Sequence, residues 1–493
     1  MKQNLIILFI GLSFLTIQAQ EIRSEDAIRY AIDNITGTAR YRAMGGAFGA
    51  LGCDLSSLNQ NPAGSLFFNN NYLTLTGSLS NSKNSSLYFG TRAKDTDSSL
   101  DLNQIGAVFV FTDNWSKNSW KKIAFAFNYE NTNNFNNSIY SAGTNPYNSI
   151  SNYFVNFAQG FNENDLSGLN YTDFSFDGQQ AYLAYQAYLI DPVTSSTYQS
   201  NVPAGANYYQ ENQITTKGYN GKLTGNFATQ YRDFLFLGLN INAHFTDYVR
   251  TTFLNEQNDS QAVVKVSSIE FDNELHTFGS GISFNLGAIV KPIPQLRLGL
   301  AYESPTWYSL TDELTQLVIG NSVDGSQSFT DFVDPQVTNV YDAYKIQTPS
   351  KWTGSIAYVY QKIGLLSIDV STKDYGVTRF KPKNLYSDVN YTLSNDLKRA
   401  IEIRVGGEYK IKQVSIRAGY HFDQSPYKID QSFGDLTGYS GGIGYSFGIN
   451  KLDIAYSYDH RNMNQYLISS GMNDPTRISR YNNNVVLSYS INF

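Results

Sequence analysis

The chain has 493 residues, 36 Lys and Arg against 42 Asp and Glu, and a net charge of −6. Only 16% of residues are charged and 15% are aromatic, which excludes a disordered chain and allows a large apolar surface to be buried. The mild acidity leaves no basic footprint for nucleic acid, and the single cysteine, Cys53, without a Cys-x-x-Cys or Cys-x-x-His pair, excludes a disulfide scaffold and zinc modules.

At the start, Lys2 precedes the apolar run Leu5 to Ile17 and then Gln18-Ala19-Gln20. A positive head, a short apolar core and a small-residue exit predict a cleaved signal peptide over 1–20. The alternative, a membrane-anchoring first helix, is disfavoured because the run falls short of the ~20 residues a bilayer needs. No cysteine stands at the exit for a lipid anchor, and no later window reads as a spanning helix.

Residues 21–70 do not alternate. Ala27, Ile28, Ala31 and Ile32 have helical spacing. They are followed by Ala43-Met44-Gly45-Gly46-Ala47-Phe48-Gly49-Ala50 and by Asn59-Gln60-Asn61-Pro62-Ala63-Gly64. Small residues allow close backbone packing and Asn-Pro favours a fixed turn. The segment reads as a plug packed inside a wall, with an ordinary periplasmic tail as the alternative.

From residue 71 onward the pattern has period two. Val485, Leu487, Tyr489, Ile491 and Phe493 face one way, and Asn484, Val486, Ser488, Ser490 and Asn492 the other. The same alternation marks fourteen segments: 71–81, 103–113, 121–131, 217–231, 233–250, 275–291, 295–309, 350–361, 364–375, 397–411, 413–423, 436–448, 450–461 and 481–493. Most run ten residues or more, the length of a tilted strand crossing a bilayer, where a soluble strand is nearer ~5–6. Long and short connections alternate along the chain, the longest being 132–216. That rhythm predicts an all-β fold: a 14-stranded antiparallel transmembrane β-barrel, 71–493, with long outer loops, short periplasmic turns and an N-terminal lumenal hatch at 21–70. A soluble all-β repeat protein is the alternative.

Several short stretches resemble one family. Arg40-Tyr41-Arg42-Ala43-Met44-Gly45-Gly46-Ala47, leading to Asn59-Gln60-Asn61-Pro62-Ala63, resembles the plug region of FadL-type outer-membrane transporters of hydrophobic compounds. Leu298-Gly299-Leu300-Ala301-Tyr302-Glu303-Ser304, Thr348-Pro349-Ser350-Lys351-Trp352 and Ile416 to Pro426 are similar, in order, to later strands of that family. The resemblance implies a fourteen-stranded barrel, a hatch that contains Gly45, Gly46, Ala47, Asn61, Pro62 and Ala63, ligand capture among the outer loops, and release sideways through a kinked early strand. The Asn-rich stretch 128–137 is where such a break is expected.

The long third connection offers Phe154, Phe157, Phe161, Tyr185 and Leu189 as a greasy surface for a ligand shedding water. The loop's own small core is the competing use. Lumen-facing Arg404 and Arg417 can pair a ligand carboxylate, but Glu402, Glu408 and Asp423 are interleaved with them, so an internal salt-bridge lattice competes and is the favoured reading. The four histidines make no ligand spacing and no nucleophile constellation is visible, so neither metal, cofactor nor enzymatic activity is expected. The expected function is passive uptake of long-chain fatty acids or similar hydrophobic molecules across the outer membrane of a Gram-negative cell. Its expected partners are that ligand, outer-membrane lipid and lipopolysaccharide, and the barrel-assembly machinery during insertion. A protein-interaction barrel, such as a secretion-system shuttle related to this family, is the alternative; a general porin is disfavoured by the plug.

Overall fold

The computed structural model describes residues 24–112, 119–361, 363–429 and 432–493. The expected signal peptide, 1–20, lies outside the described residues.

Alternating sequence produces an inside-out protein. Fourteen antiparallel strands close into one barrel. They are β1 (Tyr72–Tyr88), β2 (Thr91–Thr112), β3 (Trp120–Asn134, resuming as Asn137–Asn145), β4 (Tyr208–Tyr231), β5 (Leu235–Asn258), β6 (Val264–Val290), β7 (Leu296–Glu303, resuming as Trp307–Asp324), β8 (Tyr344–Gln347, resuming as Lys351–Tyr360), β9 (Gly364–Asp374), β10 (Arg399–Ile411), β11 (Val414–Asp423), β12 (Phe433–Phe447), β13 (Asn450–Tyr466) and β14 (Pro475–Asn492). Closure is made by β1 and β14, paired from Tyr72↔Asn492 to Leu87↔Arg477.

Outward positions are apolar and exposed: Leu75, Phe109, Phe127, Ile241, Ile356, Ile443 and Leu487 belong to a belt that circles the barrel. Inward positions are polar and buried: Thr76, Asn128, Asn226, Asn242, Thr353, Ser457 and Ser488. A soluble sandwich would reverse this, so the bilayer is the solvent that fits the outer face.

Each of the fourteen predicted segments is a barrel strand, with two corrections. First, the strands continue above the belt. The expected long connection after 81 is mostly ladder: β1 and β2 pair up to Tyr88↔Thr91, leaving a turn at Phe89-Gly90. Above the bilayer both faces of these strands are polar, so the contrast that marks a strand in sequence disappears there. Second, the run 295–309 is interrupted at Ser304-Pro305-Thr306, and β8 is interrupted beside it at Thr348-Pro349-Ser350. Proline lacks the N–H a ladder needs; the hydroxyl of Thr348 accepts from the Thr306 N–H (2.8 Å) and spans the break.

Over the mouth, residues 146–207 form a cap. It holds helices over Ser151–Ala158, Glu163–Gly168 and Phe176–Gln186 and a small hairpin, Ile190–Thr194 with Thr197–Ser200. Its core includes Phe154, Leu183 and Leu189 and continues into the upper strands through Leu254, Phe271 and Val318.

Candidate functional site

Inside the barrel, the segment before β1 folds against the polar inner wall. It carries a helix over Ser24–Ala31, a short helical turn at Ala39–Ala43 and 3-10 turns at Leu55–Asn59 and Pro62–Phe67. Its contacts are with inward side chains all round the ring. The Ala39 N–H donates to Ser488 Oγ (2.7 Å), the Gly49 N–H to Asp369 Oδ2 (2.8 Å), and Asn226 Nδ2 to the Pro62 carbonyl (2.9 Å). Asn61 Nδ2 donates to the carbonyls of Gly49 (2.8 Å) and Ala288 (3.1 Å) while its Oδ1 caps the Ala63 N–H (3.1 Å). The residues expected to form a hatch are therefore brought together in the lumen, with Ala47 and Ala63 fully buried.

Glycine makes room for this contact on both sides. A Cβ on Gly287 of β6 would stand 2.0 Å from Asn61 Oδ1. On the lumenal segment, Gly45 takes φ +58, and a Cβ there would stand 2.8 Å from the Tyr420 carbonyl oxygen, so this position favours glycine on both counts.

Charge fastens the segment further. Asp33 accepts from Lys351 Nζ (2.6 Å) and stands 3.1 Å from Lys373 Nζ. Both lysine side chains are 5% exposed. Burial opposes ionisation of Asp33, but the two ammoniums outweigh it and hold its carboxyl well below the usual carboxylate range. Across the lumen, Glu408 bridges Arg40 Nε (2.9 Å) and Arg417 Nε (2.5 Å), and Arg417 Nη1 donates to Asp453 (2.7 Å). Arg404 donates to the Tyr41 hydroxyl (3.1 Å) and to Glu402 (3.3 Å). Arg404 and Arg417 thus sit in a lattice of opposite charges that ties plug to wall.

A second feature lies in the wall itself. The β2–β3 ladder runs from Thr112↔Lys122 to Gln104↔Glu130 and stops. Beyond that point β2 stays paired to β1, while β3 stays paired to β4 up to Asn134↔Tyr219. After Phe135-Asn136, β3 resumes at Asn137↔Thr216. Its upper part leans inward onto β1, where Ser82 Oγ donates to Asn137 (2.9 Å) and Ser86 Oγ to the Tyr140 carbonyl (2.6 Å). This is the break expected in 128–137. The seam so left between β2 and β3 is crossed by side chains: Asn134 Nδ2 donates to Ser99 Oγ (2.6 Å), and Ser138 Oγ and Gln213 Nε2 to Asp95 (2.6 and 2.9 Å). Leu100 on the seam is 83% exposed.

Plug and seam meet at one carboxylate. Glu130, the last β3 residue of the ladder, accepts from Thr36 Oγ1 (2.7 Å) and Asn59 Nδ2 (2.5 Å) of the lumenal segment. Asn59 Oδ1 in turn accepts from Lys222 (2.7 Å), the β4 partner of Glu130.

The cap residues singled out in the sequence fall in two groups. Phe154 and Leu189 are wholly buried in the cap's core; Phe157, Phe161 and Tyr185 are half-buried around it. The cap carries no Lys, Arg or His at all: none occurs between Lys122 and Lys217. Sequence reasoning missed Asp33, Lys373 and Glu130, and gave Asn59 and Lys351 no contact of their own although both lie within motifs already singled out. The pairing of Lys351 with Asp33, across more than three hundred residues, leaves no local signal.

Residues 193–488 match the family described as outer membrane protein transport protein (OMPP1/FadL/TodX). The fold is similar to that of a FadL homologue of Pseudomonas aeruginosa, at 13% identity over 94% of this chain and 100% of that one, with a TM-score of 0.58. It is also similar to the toluene transporter TodX of Pseudomonas putida, at 15% identity over 94% and 100%, with a TM-score of 0.52. No curated protein matches the sequence.

Proposed function

The chain belongs to the outer membrane protein transport protein family (OMPP1/FadL/TodX), and from that premise we propose that it mediates passive uptake of long-chain fatty acids or similar hydrophobic molecules. The ligand gathers at the cap, the lumenal segment gates the path, and release is sideways through the β2–β3 seam into the bilayer. The observation that carries this reading is the end of the β2–β3 ladder at Gln104↔Glu130, while both strands continue with their other neighbours.

The lining of the lumen favours a sideways exit. The space beside the plug is lined by Asp33, Glu130, Lys222, Glu303, Lys351 and Arg404. An apolar molecule gains nothing by crossing such a region, whereas the bilayer beyond the seam accepts it. Within the hydrophobic class, the charge of the cap favours an uncharged member over a carboxylate: Glu163, Asp165, Asp173, Asp177 and Asp191 stand there with no cation between them.

The test closes the seam. In a Cys53→Ser background, Ser99→Cys with Asn134→Cys places two thiols where the side chains touch at 2.6 Å. Oxidation is expected to abolish uptake of a labelled long-chain alcohol by cells, and reduction to restore it. Full uptake through the oxidised protein overturns lateral release. A long-chain acid competing as strongly as the alcohol overturns the preference for an uncharged ligand.

A further inference from the structure

Part of the lipid-facing wall is dented. On β8, outward positions alternate as Trp352, Gly354, Ile356 and Tyr358. Gly354 pairs with Leu300 of β7 on one side and Val370 of β9 on the other. A Cβ at Gly354 would meet nothing within 4 Å. The result is a groove of about 360 Å³ walled by Leu300, Trp352, Val370 and Ile401, all 44–56% exposed. Its upper end is polar, formed by Thr372, Gln424 and Arg399.

The level of the groove fixes what can fill it. Trp352 stacks obliquely on Tyr302 at 4.8 Å, and Trp307 is exposed just above on β7. Tryptophan and tyrosine gather where acyl chains give way to headgroups. The groove therefore opens into the acyl layer of the outer leaflet, with Arg399 one step above at headgroup height. The Arg399 side chain is 70% exposed, and one of its nitrogens lies 3.5 Å from Asp374. A guanidinium has further donors in a planar fork suited to phosphate.

We propose that this groove is a binding site for a phosphate-bearing lipid of the outer leaflet, the lipid A portion of lipopolysaccharide, with one acyl chain laid across Gly354 and a phosphate on Arg399. The two halves of the site match the two halves of such a lipid: an apolar trough that only a chain in the membrane can reach, and a cation placed at its end. The site lies several strands away from the β2–β3 seam, so it stands independently of the transport reading.

The experiment uses the full-length protein in mixed micelles with a bis-phosphorylated lipid A, and counts retained lipid by native mass spectrometry. Wild type is expected to retain one lipid A through delipidation. Gly354→Leu adds a side chain whose Cβ has no protein atom within 4 Å and so occupies the floor of the trough, and retention is expected to fall at least about fivefold as the chain is crowded out. Arg399→Gln is expected to lose about tenfold in preference for the phosphorylated over the dephosphorylated lipid. Gly225→Leu, which fills another open glycine position on the outer face of β4, serves as the control and is expected to retain lipid as wild type does. Retention by Gly354→Leu equal to that of wild type overturns the proposal, as does an equal loss in Gly225→Leu. Loss of hydrophobe uptake in Gly354→Leu with lipid retention unchanged also overturns it, and assigns the groove to cargo instead. Heat-shifted migration in gel electrophoresis confirms that each variant is a folded barrel.

Discussion

Replacing Asp33 by Asn should free the leading part of the lumenal segment without harming the barrel. The wild-type carboxylate stands between two ammoniums, 2.6 Å from Lys351 and 3.1 Å from Lys373, each 5% exposed. Breaking a buried ion pair by removing one partner costs about 3–5 kcal/mol. Two facts reduce that figure: the Asp33 side chain is 28% exposed, and Glu303 remains 3.4 Å from Lys351. A loss of about 2 kcal/mol follows, or about thirtyfold in the equilibrium for lifting residues 24–35 off the wall. Hydrogen exchange is the assay, since it reads local opening separately from global unfolding. Amides of 24–35 are expected to exchange about thirtyfold faster in Asp33→Asn, while those of β5 and β13 keep wild-type protection. Protection of 24–35 within a factor of three of wild type would refute the argument. The pH dependence has a defined sign. A depressed carboxyl pKa contributes anchoring that is fully present above the ordinary carboxylate value and is lost as pH falls through the native one. Exchange of this segment in wild type should therefore be insensitive to the state of Asp33 between pH 5 and 8.

Other consequences can be checked as directly. Gly287→Leu places a Cβ 2.0 Å from Asn61 Oδ1 and should destabilise the seated plug by about 1–3 kcal/mol, read as raised single-channel conductance in a planar bilayer. Deleting residues 21–70 should raise conductance further; unchanged conductance would contradict a plug. Glu256, on the part of β5 that rises above the lipid belt into the cap, is 1% exposed and accepts from Ser149 Oγ, the Ile150 N–H (2.8 Å) and Gln210 Nε2 (2.6 Å). Burial pushes its carboxyl up to about 7. A raised carboxyl pKa means that cap stability falls as pH climbs from about 4.5 to about 7. Proteolytic nicking within 146–207 should accordingly increase over that range, and Glu256→Gln should flatten the profile.

How much of this could be read from residues alone differs from place to place. The lipid-crossing part of each strand was legible because one face must be greasy and the other polar, as Leu487 and Ser488 are. The break in β3 was legible because the pattern after Phe127 turns rich in asparagine. The interruption at Pro305 was missed by reading alternation straight through 295–309, although the proline itself carried the signal. The upper strand extensions were not legible, since water bathes both of their faces. Of the candidate ligand residues, Phe154 shows the limit of helical spacing: it marks an apolar face without saying whether ligand or neighbouring helix covers it. Arg404 and Arg417 show that sequence can place charges on the inner face and name their competing uses; the distances to Glu402 and Glu408 needed the fold.

The pairing of β1 with β14 also constrains how the molecule is made. Tyr72 and Asn492 are direct neighbours in the closed ring but stand at opposite ends of the strand order. Contacts so distant along the chain are the slowest to form, because the whole intervening length must first be ordered. The lumenal segment is synthesised before any strand, yet its partners, from Glu130 to Ser488, are spread round the full circumference. Its set of wall contacts is therefore complete only once β14 is in place, and a lesion in β14 would leave the plug without its final wall.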